Sequence, residues 1–434
     1  MGIFDTSKYN GKQDLYQSIF GLLCAVLMVI GFLQSRALLS IATVALFVNA
    51  FWPANITRVF QRFNSSRFGW WALIYLLVYV ISIFWSENKE EWSKVMMLKL
   101  PFALIPLGMC SLPLERADFR KYLYVAVLLV SSAAVLMSLG RFAMDYEQYI
   151  ANYTYSMPIP TTIVGDHIRF GLWLALLVMM GFYVMQFEVF AQSKLIRLLS
   201  WACIFLFSLY IHILSAKTGL LVLYLVFLGA AFYRLSRRIP TLVAIVVPAL
   251  LAALSMFLAY RFVPTFKTKI NYVLMEVDMI KRGERLNYNL SDQGRLITYD
   301  IAWHQMQKGT ALGTGAGDII PVMNEGYDER YPEVPADLRF VPINQFLLEF
   351  FAFGWILGLP LILMTLSPVF NKQVQGQFFM NLTVVIFIFS LMVEAMLQIQ
   401  MGIFLYLFFM MWMLAQKWRQ IIPAHAKLSP NSKH

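Results

Sequence analysis

Apolar stretches of about 20 residues recur from one end of the chain to the other, each long enough to cross a bilayer as a helix. Hydrocarbon offers no partner for backbone N–H and C=O groups, so a spanning segment must satisfy them internally, as a helix or within a closed barrel. A barrel would show short segments of alternating polarity, and the sequence has none. Helices are therefore predicted over 17–33, 37–52, 69–86, 95–112, 121–139, 168–187, 196–214, 219–235, 239–262, 344–366, 378–397 and 400–417. The expected fold is an all-α integral membrane protein of about 12 transmembrane helices. Trp70, Trp71, Trp85, Trp201 and Trp418 fall near predicted helix ends, where interfacial aromatics belong.

Composition agrees. Of 434 residues, 59% are hydrophobic and only 14% charged, against about 25% charged in soluble domains. Cys24, Cys110 and Cys203 all lie inside apolar runs, which excludes a disulfide framework and a metal-type Cys/His spacing. The net charge of +11 is accounted for by Lys and Arg in loops on one side of a membrane, with no call for nucleic acid. The first apolar run follows a polar segment and lacks a small-residue cleavage site, so it is read as a retained helix. With the N-terminus in the cytoplasm, the inner segments carry 18 Lys and Arg and the short outer loops carry 5. This bias places both termini inside. The organisation expected is transmembrane helices one to nine over 1–262, an outer loop domain over 263–343, helices ten to twelve over 344–418 and a cytoplasmic tail over 419–434.

A connection as long as 263–343 is usually functional or disordered, and this one has helical pattern. Ile270, Val273, Leu274, Val277 and Ile280 recur at helical spacing within 265–282, with Lys281, Arg282 and Gly283 as its end. A second helix is predicted from Ser291 or Asp292 to Lys308, stopped by Gly309. Ionisable residues within or beside the spans are costly and mark functional positions. Here they are Lys99, Arg169, His212, Glu349 and Glu394, flanked by Asp166, His167 and Lys217. In the stated orientation all lie near outer helix ends. A transporter would be expected to place such groups near the midplane and to show related halves, and neither pattern is seen.

Four local patterns then carry a resemblance. They are Asp166-His167-Ile168-Arg169-Phe170 and Ser215-Ala216-Lys217-Thr218-Gly219, then Arg295 and Trp303 followed by Gly313-Thr314-Gly315-Ala316-Gly317-Asp318, and last Pro342-Ile343-Asn344-Gln345-Phe346-Leu347 running into Gly354 and Gly358. Their order against the predicted helices, over nearly the whole chain, resembles the bacterial O-antigen ligases, which share a family with the O-antigen polymerases. The resemblance implies a GT-C-like fold in the inner (cytoplasmic) membrane with the active site facing the periplasm. It implies transfer of a glycan from undecaprenyl diphosphate to a hydroxyl of a lipid A-core or similar glycolipid acceptor, with no nucleotide sugar, no cofactor and no required metal.

Such a reaction needs cations for the departing diphosphate and a base for the attacking hydroxyl. By resemblance Arg295 and Lys217 hold the diphosphate, and Arg169 is a third candidate. Lys217 stands where the family has Arg, keeping the charge but not the bidentate fork. Asn344, Gly313, Gly315 and Asp318 are the expected supporting residues, the glycines by letting backbone N–H groups approach a phosphate. The family's base is a His directly before the Asn, and Ile343 stands there instead. His167, His304 and Glu349 are the substitutes considered. The alternatives are a polymerase joining lipid-linked repeat units, a polysaccharide flippase and a catalytically altered paralogue.

Overall fold

The protein is described here from a computed structural model covering residues 12–53, 55–154, 159–162, 166–309, 311–366, 368 and 378–415. The predicted tail 419–434, Trp418 and both chain ends lie outside the described residues. Eighteen α-helices are present among these residues, and no strand. They are α1 (Lys12–Gln34), α2 (Arg36–Asn49), α3 (Ile56–Ser65), α4 (Arg67–Ile81), α5 (Lys89–Lys99), α6 (Pro101–Ser111), α7 (Ala117–Met144), α8 (Tyr146–Thr154) and α9 (His167–Phe187). The second half holds α10 (Lys194–Leu214), α11 (Lys217–Leu235), α12 (Thr241–Phe262), α13 (Pro264–Lys281), α14 (Ser291–Lys308), α15 (Ile319–Arg330), α16 (Gln345–Thr365), α17 (Phe378–Val393) and α18 (Gln400–Leu414).

Nine segments among the described residues are long and apolar enough to cross a membrane: α1, Arg67–Phe84, Lys89–Ser111, α7, α9, α10, α11, α12 and α16. The shorter apolar helices α2, α17 and α18 fall on the remaining three predicted segments. α18 lies at the centre of the bundle, with every side chain from Met401 to Leu414 buried. There Phe404, Phe408 and Phe409 surround Trp173 of α9, with ring centroids 6.0, 6.0 and 5.1 Å away, and Phe32 of α1 closes the cluster at 4.9 Å.

Three discontinuities position polar groups inside this apolar frame. The span Lys89–Ser111 is interrupted at Leu100, because Pro101 lacks the N–H that would continue the ladder, and Lys99 sits at the break. α16 is kinked at Gly354, whose φ of 58° and ψ of −162° are not helical. The kink frees the carbonyls of Phe351 and Ala352, and these accept from the N–H groups of Thr314 (3.2 Å) and Gly315 (2.8 Å). α17 ends at Val393, four residues before the predicted end, and 394–399 leaves the helix before α18 begins.

The predicted loop helices are present as α13 and α14, with α15 added. Ile297, Ile301 and Ala302 of α14 are buried, as are Met323 and Tyr327 of α15, giving the loop a small core. On α13, by contrast, Ile270, Leu274, Val277 and Ile280 are all exposed. At the opposite helix ends, ion pairs tie the bundle together: Asp14 with Arg58 and Arg116, Arg62 with Glu115, and Arg120 with both oxygens of Glu188.

Candidate functional site

A cavity of about 740 Å³ opens where α9, α11 and α14 begin and α17 ends, with α13 along one side. α10 stops at Ser215, whose left-handed φ of 52° turns the chain sharply into α11. The Thr265 hydroxyl donates to the freed Ile213 carbonyl at 2.7 Å, which fixes the start of α13 beside this turn. Lys217, the first residue of α11, thereby faces α13 and α14 across the cavity.

Arg295 lies on the second turn of α14. Its Nη2 donates to Glu394 Oε1 at 2.8 Å, and its Nη1 to the Val393 carbonyl at 3.2 Å, one of the carbonyls left free where α17 ends. Arg169 Nη2 donates to the other Glu394 oxygen at 3.2 Å and its Nη1 lies 3.5 Å from Asp166. Glu394 is thus clasped between two guanidinium groups. Lys217 Nζ donates to Asp292 Oδ2 at 2.7 Å and lies 3.7 Å from Glu276 Oε2. Glu276 Oε1 accepts the Asp292 N–H at 2.9 Å, satisfying one of the free donors at the start of α14. Burial works to raise the Asp292 carboxyl, but the hydrogen bond and charge of Lys217 hold it below its ordinary value. Glu276 is pushed upward by burial.

Lys217, Arg295 and His167 all line this one cavity, and Arg169 reaches it through Glu394. His167 Nδ1 is buried with no hydrogen-bond partner among the described residues. The other expected residues lie elsewhere. Glu349, expected as a base candidate, is buried away from the cavity wall, where it accepts hydrogen bonds from Tyr75, Tyr79 and Gln345. His304 faces Glu329 on α15, with Nε2 3.7 Å from Oε2. Asn344 caps α16 by accepting the Leu347 N–H at 3.1 Å, and the Ile343 carbonyl accepts from Tyr299 at 2.9 Å. Gly313 and Gly315 do not form the phosphate cradle expected of them. A Cβ on Gly313 would stand 2.4 Å from the Gly354 nitrogen, and the N–H of Gly315 is spent on the kinked helix. Asp318 accepts the N–H groups of Glu87 and Asn88 at 2.7 and 2.8 Å, so its role is to hold the turn before α5.

Glu349 belongs to a second polar group that bears on the site indirectly. Lys99 Nζ donates to the Leu397 carbonyl at 2.5 Å and to Gln398 at 3.1 Å, and lies 4.5 Å from the Tyr79 ring centroid. The Leu397 N–H donates to Gln345 at 2.8 Å, and Gln345 to Glu349 at 2.6 Å. The 394–399 segment, which includes the short 3₁₀ turn Met396–Gln398, therefore has backbone partners supplied by buried side chains, as its burial requires, and Glu394 is held at its leading end. His212 is occupied on both ring nitrogens, by the Ser208 carbonyl and Tyr224, each at 2.7 Å, and serves packing.

Two contributors were not among the expected site residues. Glu394 was visible as a charge in an apolar run, but not as the joint between Arg169 and Arg295. Lys269 gave one signal. It shares a helix face with Tyr272 and Glu276, beside the apolar stripe of α13. No group of three His, Cys, Asp or Glu that could hold a metal is found among the described residues. Compared with models of known protein families and with curated proteins, the chain matches none.

Proposed function

We propose that the chain is a lipid-linked glycan transferase of the O-antigen ligase type, acting at the periplasmic face of a bacterial inner membrane. Its donor is a glycan on undecaprenyl diphosphate and its acceptor a hydroxyl of a lipid A-core or similar glycolipid. One observation carries the reading: Lys217 and Arg295, from distant parts of the sequence, line the same cavity as His167. In the reaction the bond between the anomeric carbon and a diphosphate oxygen breaks while the acceptor oxygen bonds to that carbon. Lys217 and Arg295 neutralise the charge that grows on the leaving diphosphate. His167 is the base candidate that lines the cavity, and its imidazole takes the acceptor proton. The apolar outer face of α13, beside the cavity, suits passage of a lipid tail.

Arg295→Ala tests the reading. We expect transfer to fall at least about a hundredfold, as for loss of a charged donor to a transition state, with the protein still in the membrane fraction. The assay is the lipopolysaccharide ladder of a deletion strain carrying the variant. A normal ladder would refute the role of Arg295. A deletion strain with core capped by a single repeat unit would favour the polymerase reaction instead.

A further inference from the structure

The cavity has three lining cations, and they are not treated alike. Arg295 is paired with Glu394, and Lys217 with both Asp292 and Glu276. Lys269 on α13 is half-buried and lines the same cavity, yet no carboxylate lies within ion-pair distance of it among the described residues. Its Nζ stands 5.2 Å from the centroid of the Tyr272 ring, and Lys217 Nζ stands 5.8 Å from the same centroid. Two ammonium groups thus gather at one aromatic ring, and the carboxylates nearby turn to only one of them.

We infer that Lys269 is a third diphosphate-binding cation, acting beside Lys217 and Arg295. The inference rests on the reading that this cavity takes a diphosphate. The Lys269 ammonium is held below its ordinary pKa by burial and by the charges of Lys217 and Arg295, partly offset by Asp292 and Glu276. A cation in that position gains from an incoming anion what the protein does not give it. A diphosphate has anionic oxygens on two phosphorus atoms, enough to engage the lysines of α11 and α13 and the arginine of α14 together. A monophosphate presents fewer.

The experiment is equilibrium binding of inorganic pyrophosphate and inorganic phosphate to the purified full-length protein in detergent. Lys269→Met keeps an apolar stem to pack on Tyr272, and Lys269→Arg keeps the charge. We expect the wild-type protein to bind pyrophosphate more tightly than phosphate, Lys269→Met to weaken pyrophosphate binding roughly tenfold or more, as for loss of a charged hydrogen-bond donor, and Lys269→Arg to retain it. Thermal unfolding of each variant establishes that it is folded. Equal pyrophosphate affinity in wild type and Lys269→Met overturns the role of Lys269. No pyrophosphate binding by the wild type, or equal affinity for the two anions, overturns the diphosphate assignment. Pyrophosphate binding that depends on Lys269, in a protein that transfers no glycan, leaves this inference standing and removes the ligase reading.

Discussion

At Lys217 a single ammonium meets two carboxylates whose surroundings differ. Asp292 is held below its ordinary value by the lysine and contributes stability above the unfolded carboxylate range, which is lost as pH falls. Glu276 has the opposite sign. Burial raises its folded pKa, so its contribution is present below the unfolded value, about 4.3, and is lost as pH rises through the folded value. Glu276→Gln keeps an oxygen to accept the Asp292 N–H and removes the buried charge. We expect this variant to be more stable than wild type at pH 7, with the gap closing as pH falls toward 4. Thermal unfolding at the two pH values is the check. A variant less stable at pH 7 would mean that the Lys217 attraction outweighs the cost of burial. The same contrast shows why the site was partly legible. Lys217 and His167 stand out as polar residues beside apolar runs, whereas Arg295, within the loop, is singled out only by the resemblance. Glu349 stands out equally and lies elsewhere, because sequence marks a buried charge without marking its partners.

The helices were legible from run length and hydropathy, and their interruptions were not. The kink at Gly354 depends on residues 311–315, which supply donors to the carbonyls it frees, and no local pattern announces that exchange. The early end of α17 depends on Arg169, Arg295, Lys99 and Gln345 together. Gly354→Ala tests the first. Its new Cβ would lie 2.0 Å from the Ala311 carbonyl oxygen, on a backbone with φ of 58°. We expect a loss of about 2 kcal/mol or more, measured as a lowered unfolding midpoint. A midpoint unchanged from wild type would show that α16 straightens without cost. The spacing of the glycine-rich loop suggests a phosphate cradle, because spacing alone cannot tell close packing against a helix from close approach to a ligand.

Across the whole molecule, the cavity and the network around Lys99 occupy one end of the bundle, and the Asp14, Glu115 and Glu188 ion pairs occupy the other. Their sidedness is open to a direct measurement, because Cys24, Cys110 and Cys203 are all buried and give little background. Glu284→Cys lies in the exposed turn after α13, and Arg237→Cys at the opposite, basic end. A membrane-impermeant maleimide applied to intact cells should label the first and spare the second. The reverse result would place the cavity in the cytoplasm and end the proposal of a periplasmic transferase.

α13 has one side turned to the cavity and an apolar stripe that is exposed among the described residues. If that stripe rests on acyl chains, the lipid is a structural component of the chamber in its own right. Stripping the annulus during purification would then slacken the wall that carries Lys269, and the composition of the surrounding leaflet would set how tightly the chamber closes on its cargo.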